Sequence, residues 1–127
     1  MKTISIKTNR KMQIVDVTEK IKENITIKNG LVHIKSLHTT AGLFINEGYD
    51  NYLKKDFINY FKSLPTINFK HAEGNSKAHI FSTMIGNECI LDVEDNKLDL
   101  GRWQKILLFE FDGPRSRRIT IKEISKI

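Results

Sequence analysis

His71-Ala72-Glu73-Gly74-Asn75-Ser76-Lys77-Ala78-His79 gathers two imidazoles, a carboxylate, a carboxamide, a hydroxyl and an amine into nine consecutive residues. Core packing gives no reason to crowd polar groups this way, whereas a site needs convergent donors, acceptors and titratable groups. Two more polar groups bracket the stretch. His38-Thr39-Thr40 with Asn46-Glu47 precedes it, and Glu110-Phe111-Asp112-Gly113-Pro114-Arg115-Ser116-Arg117-Arg118 follows. The three are expected to fold into one pocket.

Imidazoles bind metals or move protons near neutral pH. His38, His71 and His79 are therefore read as catalytic candidates, with Glu73 as a general base or a partner to one of them. Three such donors with one open position would also suit a catalytic zinc, so a divalent ion (zinc or magnesium) held by His38, His71 and His79 is an expectation. Their spacing matches no established zinc signature. Any one of these histidines, taken alone, is as well read as a hydrogen-bonded structural residue. The case rests on the three together.

Thr39, Asn46, Glu47 and Asn75 are candidates for orienting a substrate. Arg115 and Arg117, beside the Gly113-Pro114 turn, are the best anion-binding candidates because guanidinium groups grip phosphate bidentately. Asp112 and Glu110 would either hold a cation that bridges phosphates or neutralise these arginines. Strand parity puts Gln104, Glu110 and Asp112 on one face, and hence on one wall of the pocket. His33 lies in an apolar run and reads as structural, Cys89 as a buried thiol, and Trp103 as core or subunit interface.

The elements that must carry these residues follow from periodicity. Alternating residues near the N-terminus predict a strand pair turned at Asn9-Arg10. Asp16-Val17-Thr18-Glu19 has the form of a capping box, which predicts a short helix through Ile21 and Ile25 that stops near Asn29-Gly30. Residues 31–37 and 42–46 read as buried strands. Tyr49, Leu53, Phe57, Phe61 and Leu64 recur at helical spacing and predict the main amphipathic helix over 49–64, ended by Pro65. Further strands are expected over 78–85, 88–93, 97–100, 103–111 and 117–125. In that reading His79, Phe81, Thr83 and Ile85 share one strand face. The fold class is α+β, dominated by antiparallel sheet.

At 127 residues the chain is expected to form one domain spanning 1–127, large enough to bury roughly two-thirds of its unfolded surface. A single cysteine excludes an internal disulfide. No apolar run approaches the ~18–20 residues of a membrane span, and no leader is evident, which predicts a cytoplasmic protein without membrane attachment. The formal charge of +6 favours anionic partners. The basic residues are mostly scattered lysines, however, and the basic–aromatic blocks of nucleic-acid binders are missing, so nucleic acid is not an expected partner.

Taken in order, His38-Thr39-Thr40-Ala41, Asn46-Glu47, His71-Ala72-Glu73-Gly74-Asn75-Ser76-x-Ala78-His79, Gly101-x-Trp103-Gln104 and Glu110-Phe111-Asp112-Gly113-Pro114-Arg115 resemble the YjbQ family. That family is also called UPF0047 and is linked to a secondary thiamine-phosphate synthase activity. The resemblance covers nearly the whole chain. It implies an antiparallel sandwich or half-barrel with two helices, assembled as a homotrimer with sites near subunit boundaries. It also carries His38, Thr39, Asn46, Glu47, His71, Glu73, Asn75, His79, Gln104, Asp112 and Arg115 over as motif residues. One departure is Gly48-Tyr49-Asp50-Asn51, where members often continue Asn46-Glu47 differently and with a proline.

The activity so implied joins a pyrimidine pyrophosphate to a thiazole phosphate and releases pyrophosphate. Arginines or a cation would stabilise that leaving group, and Phe44, Phe81 or Trp103 would supply an apolar slot for the ring. The expected ligand is a phosphorylated or otherwise anionic small molecule. Three histidines suit hydrolytic or metal-assisted proton chemistry better than pyrophosphate ionisation. A metal-dependent hydrolase and a trimeric metal- or anion-binding protein are therefore the alternatives.

Overall fold

The computed structural model describes residues 1–126. The strands are β1 (Lys2–Lys7), β2 (Gln13–Asp16), β3 (Gly30–Ser36), β4 (Ala41–Glu47), β5 (Glu88–Glu94), β6 (Lys97–Leu98), β7 (Gln104–Glu110) and β8 (Ser116–Ser125). The helices are α1 (Thr18–Lys22), α2 (Asn51–Ser63) and α3 (Ser76–Ile85). Two antiparallel sheets result, a five-stranded one in the order β1-β8-β3-β5-β6 and a three-stranded one in the order β2-β7-β4.

Alternation within the strands builds the layers. Val32 and Ile34 of β3, Ile119 and Ile121 of β8, Leu43 of β4, and Ile106 and Leu108 of β7 form the core between the sheets. The opposite parity of β7 sends Phe109 into a second core with Phe61 of α2 and Ala78 and Phe81 of α3. Phe109 and Phe111 stack at 4.2 Å between ring centroids, and Phe61 meets Phe81 edge-on at 4.9 Å. The curled sandwich is thus covered by helices on its three-stranded side. The α+β class and the curled antiparallel sheet are as expected.

Several elements differ from the reading of the sequence. Residues 76–85 form a helix, not a strand. Ala78, Phe81 and Ser82 are buried while Ile80 and Met84 are exposed, a spacing of three and four rather than two. The expected strand face of His79, Phe81, Thr83 and Ile85 does not exist, and the described helices number three rather than two. β1 and β2 do not pair with each other: β1 pairs with β8, and β2 with β7. β6 covers only Lys97–Leu98 of the strand expected over 97–100.

α1 ends at Lys22, well short of Asn29. Its start is not a capping box, because the Asp16 carboxylate accepts from both the backbone N–H and the hydroxyl of Thr18 instead. α2 begins where expected to within two residues, with the Asp50 carboxylate accepting from the N–H of Tyr52 at 2.8 Å. Glu47 accepts from the N–H groups of Tyr49 and Asp50 just before it. This chain therefore builds its helix entrance from side-chain acceptors, without a proline.

Candidate functional site

The connection between β3 and β4 carries His38, Thr39 and Thr40. The β7–β8 connection carries Asp112 and Arg115, and the α2–α3 connection with the first turn of α3 carries Glu73, Asn75 and His79. These segments enclose a cleft of about 290 Å³ lined by His38, Thr39, Glu73, Asn75, His79, Asp112, Arg115 and Arg117, together with Leu37 and Thr40. His38, Thr39 and His79 also line an adjoining hollow of about 400 Å³ with Ser82, Thr83, Gly86 and Asn87. Helical spacing places Ser82 and Thr83 one turn beyond His79. A strand over 78–85 would instead put Ser82 on the face opposite His79.

His38 continues the β3–β8 ladder with its side chain. Leu37 N–H donates to the Arg118 carbonyl at 3.2 Å, and the next donor, Arg118 N–H, finds His38 Nε2 at 2.7 Å. A backbone N–H can only donate, so Nε2 carries the lone pair and the ring proton sits on Nδ1. Burial holds the His38 pKa below its usual value, with the positive charges of Arg117 and Arg118 acting in the same direction. His38 is thus a neutral imidazole of fixed tautomer.

Beneath the cleft lies a buried ion pair. Arg117 is 3 % exposed and Glu110 fully buried; the guanidinium donates through Nε to Glu110 Oε1 at 2.9 Å and through Nη2 to Oε2. Nη2 also donates to Thr40 Oγ1 at 2.8 Å, and Thr8 donates its hydroxyl to Glu110 Oε1 at 2.6 Å. Arg117, expected to grip an anion, is committed to this network. Glu110, a candidate for holding a cation, neutralises that arginine instead.

Asp112 and Arg115 sit above it. Arg115 donates from Nε to the Asp112 carbonyl at 2.8 Å and from Nη2 to Asp112 Oδ2 at 3.1 Å, while its side chain stays 54 % exposed. Asn75 Nδ2 donates to the same Oδ2 at 3.0 Å. Burial alone would raise the Asp112 pKa, but the Asn75 amide and the Arg115 guanidinium outweigh it and hold the carboxyl below its ordinary range. Asn75 Oδ1 is buried without a partner among the described residues.

His71 stands at the rim, its ring edge-on to that of His79 at 5.3 Å and its Nε2 3.9 Å from Glu73 Oε2. Among the described residues no group of three or more His, Cys, Asp or Glu side chains is arranged to hold a metal ion. His38 Nε2 is engaged by Arg118 N–H, and no chemistry below is routed through a metal.

Asn46, Glu47 and Gln104 lie elsewhere. In the β4–β7 register Ala41 is opposite Glu110, whereas Asn46 and Glu47 are opposite Lys105 and Gln104. They are separated from the cleft by the length of β7, about 20 Å. Gln104 accepts from Gly101 N–H at 2.8 Å and braces its own turn. The single wall of Gln104, Glu110 and Asp112 is thus not formed: the three share strand parity, but the length of β7 separates Gln104 from the other two. Trp103, beside Gln104, is 57 % exposed and outside the core, packed edge-on against Tyr49 at 5.8 Å. His33 meets Glu88 on the outer sheet face, and burial pushes the Cys89 thiol up to about 11.

The chain matches the family model described as UPF0047 protein YjbQ-like over residues 2–126. It belongs to the YjbQ-like UPF0047 family. A UPF0047 protein of Methanocaldococcus jannaschii is 44% identical, with 94% of this chain and 90% of the relative covered. A UPF0047 protein of Archaeoglobus fulgidus is 37% identical, with 95% and 98% covered. Among solved structures, a YjbQ/UPF0047 family protein of Clostridium acetobutylicum superposes with a TM-score of 0.93 at 36% identity, covering 98% of this chain and 100% of that one. A YbjQ-like protein of unknown function from Sulfolobus solfataricus gives 0.92 at 33%, covering 98% and 96%. The family blocks around His38, His71–His79 and Asp112–Arg115 are those that converge on the cleft.

Proposed function

We propose that this UPF0047 protein is a cytoplasmic small-metabolite enzyme that binds a phosphorylated or otherwise anionic substrate in the cleft and moves a proton there. The observation that carries this reading is the convergence, from separate segments, of the half-exposed Arg115 guanidinium with two imidazoles and two carboxylates in one cleft. Arg115 meets the anion and Asp112 fixes its direction. His79 exchanges the proton, with His71 and Glu73 at the rim as its relay. His38 serves as a fixed hydrogen-bond donor rather than as a base, and Thr39 and Asn75 orient the substrate.

The finer reading follows the family resemblance: thiamine-phosphate synthase activity, primary or secondary. In that reaction the pyrimidine–pyrophosphate bond breaks as the bond to the thiazole phosphate forms. The departing pyrophosphate takes the electron pair, is met by Arg115 and receives a proton from His79. A purified-protein assay with both substrates tests it. His79→Ala should cut turnover by about 10²–10⁴-fold with substrate affinity kept, and Arg115→Ala should lose affinity. A second reading, an anion-binding module without turnover, is favoured by the occupied lone pair of His38, which removes one base from the cleft. Loss of affinity in both variants, with no turnover in the wild type, would establish that reading instead.

A further inference from the structure

The hollow of about 400 Å³ that adjoins the cleft has fixed walls. On one side stand the last turns of α3 and the connection into β5. Gly86 N–H donates to the Ser82 carbonyl at 2.9 Å, Leu43 N–H of β4 to the Gly86 carbonyl at 3.0 Å, and Ser36 N–H of β3 to the Asn87 carbonyl at 2.8 Å. Gly86 takes φ +93°, and a side chain there would meet nothing within 4 Å, so its backbone borders open space. On the other side His38 donates its N–H to Ser36 Oγ at 3.3 Å and accepts at Nε2 from Arg118 N–H at 2.7 Å. A ligand entering the hollow meets groups that are already in place.

The lining is neutral and polar. No Lys, Arg, Asp or Glu side chain borders the hollow, and Phe44, Phe81 and Trp103, expected to form an apolar slot, border neither it nor the cleft. His38 offers Nδ1–H as a donor, because Nε2 is taken. Thr83 donates its hydroxyl to the His79 carbonyl at 2.9 Å and presents lone pairs only. Ser82 is 5 % exposed, yet its hydroxyl makes no hydrogen bond to any described residue. A buried hydroxyl is nearly always paired, so Ser82 calls for a partner from within the hollow. Asn87 adds an amide that both donates and accepts. Ligand hydroxyls, each a donor and an acceptor, match this mixed lining, whereas an apolar body would leave it unpaired.

We propose that this hollow is a subsite for the uncharged, hydroxyl-bearing body of a phosphate ester whose phosphate sits at Arg115, so that the substrate class is a polyol or sugar phosphate. The body passes between His38 and His79, which line both spaces. This rests on the cleft being the anion site and goes further by naming what the anion is attached to.

Calorimetric titration of the purified protein with ribose-5-phosphate, benzyl phosphate and inorganic phosphate tests the assignment. The wild type should bind ribose-5-phosphate at least about tenfold more tightly than either of the others, the gain expected from two or more added hydrogen bonds. Ser82→Ala keeps α3, since alanine is the better helix former, and should cut that preference several-fold with phosphate affinity unchanged. Asn87→Ala, at an exposed position, should act in the same direction. A preference that survives both variants, or benzyl phosphate or inorganic phosphate binding as tightly as ribose-5-phosphate, overturns the subsite and leaves the anion site standing. If none of the three probes binds, both fall.

Discussion

His38 and Arg115 show how much of a residue's role is set by what holds it. The Nε2 lone pair of His38 is occupied by Arg118 N–H, and burial with the adjacent arginine charges lowers its pKa. The unfolded state therefore binds the proton more readily than the folded one. The stability drawn from this contact is full above the ordinary histidine value of about 6.5 and is lost as pH falls toward and through the lowered folded value. Melting temperatures from pH 8 to 5 should show the wild type falling toward His38→Ala, with the gap narrowing below about 6.5. A constant gap would contradict the neutral, accepting imidazole. The Arg115 side chain is held only by Asp112 and stays exposed, so Arg115→Ala should cut phosphate affinity by at least about tenfold, because a charge-assisted contact is lost, with only a small drop in melting temperature from the loss of the Asp112 pair. For metal, mass spectrometry should find zinc well below stoichiometric and equal in the wild type and in a His71→Ala, His79→Ala double variant. Near-stoichiometric zinc lost in the double variant would restore metal-assisted chemistry.

At the scale of elements, the buried Glu110–Arg117 pair staples β7 to β8, with Thr8 after β1 and Thr40 before β4 completing its hydrogen bonds. Removing one partner strands a charge in the interior. Arg117→Ala should therefore cost about 3–5 kcal/mol in a denaturant titration, and a Glu110→Met, Arg117→Leu double variant should cost less. If the double variant proved the more destabilised, the pair would be contributing net stability beyond charge neutralisation. This network also marks what the sequence could not disclose. Glu-Phe-Asp-Gly-Pro-Arg-Ser-Arg-Arg reads as an anion grip, yet Arg115 and Arg117 have opposite fates because Arg117 lies on the inward face of β8 whereas Arg115 precedes the strand, in the turn after Gly113-Pro114. The same limit appears in 76–85, where Ala78, Phe81, Ser82 and Ile85 keep helical spacing but Ile80-Phe81-Ser82-Thr83-Met84 is also a plausible buried strand. A short apolar run does not separate the two by periodicity alone. The polar blocks were legible because their chemistry has no packing rationale. Their distances were not, since only the β4–β7 register reveals that Asn46, Glu47 and Gln104 lie at the wrong end.

For the molecule as a whole, the far end of β7 still needs an account. Tyr49 and Trp103 pack edge-on while remaining more than half exposed, and Arg102 and Lys105 lie over their rings at 4.9 and 4.7 Å. Large aromatics with arginine, left in water, are the residue types that dominate protein–protein contacts. They stand beside Asn46, Glu47 and Gln104, polar motif residues that have no place in the cleft of one chain. The homotrimer implied by the family resemblance would account for both facts, because the second motif cluster would then serve a subunit boundary rather than the pocket. Light scattering after size exclusion should give three times the 14.7 kDa of the chain, and Trp103→Glu should return the monomer mass with the fold retained by circular dichroism. A wild-type mass of one chain would leave the Tyr49–Trp103 surface without this explanation, whereas a trimer indifferent to Trp103→Glu would move the boundary elsewhere, with the uncovered face of the five-stranded sheet around Leu31, Ile90 and Ile124 the next surface to test.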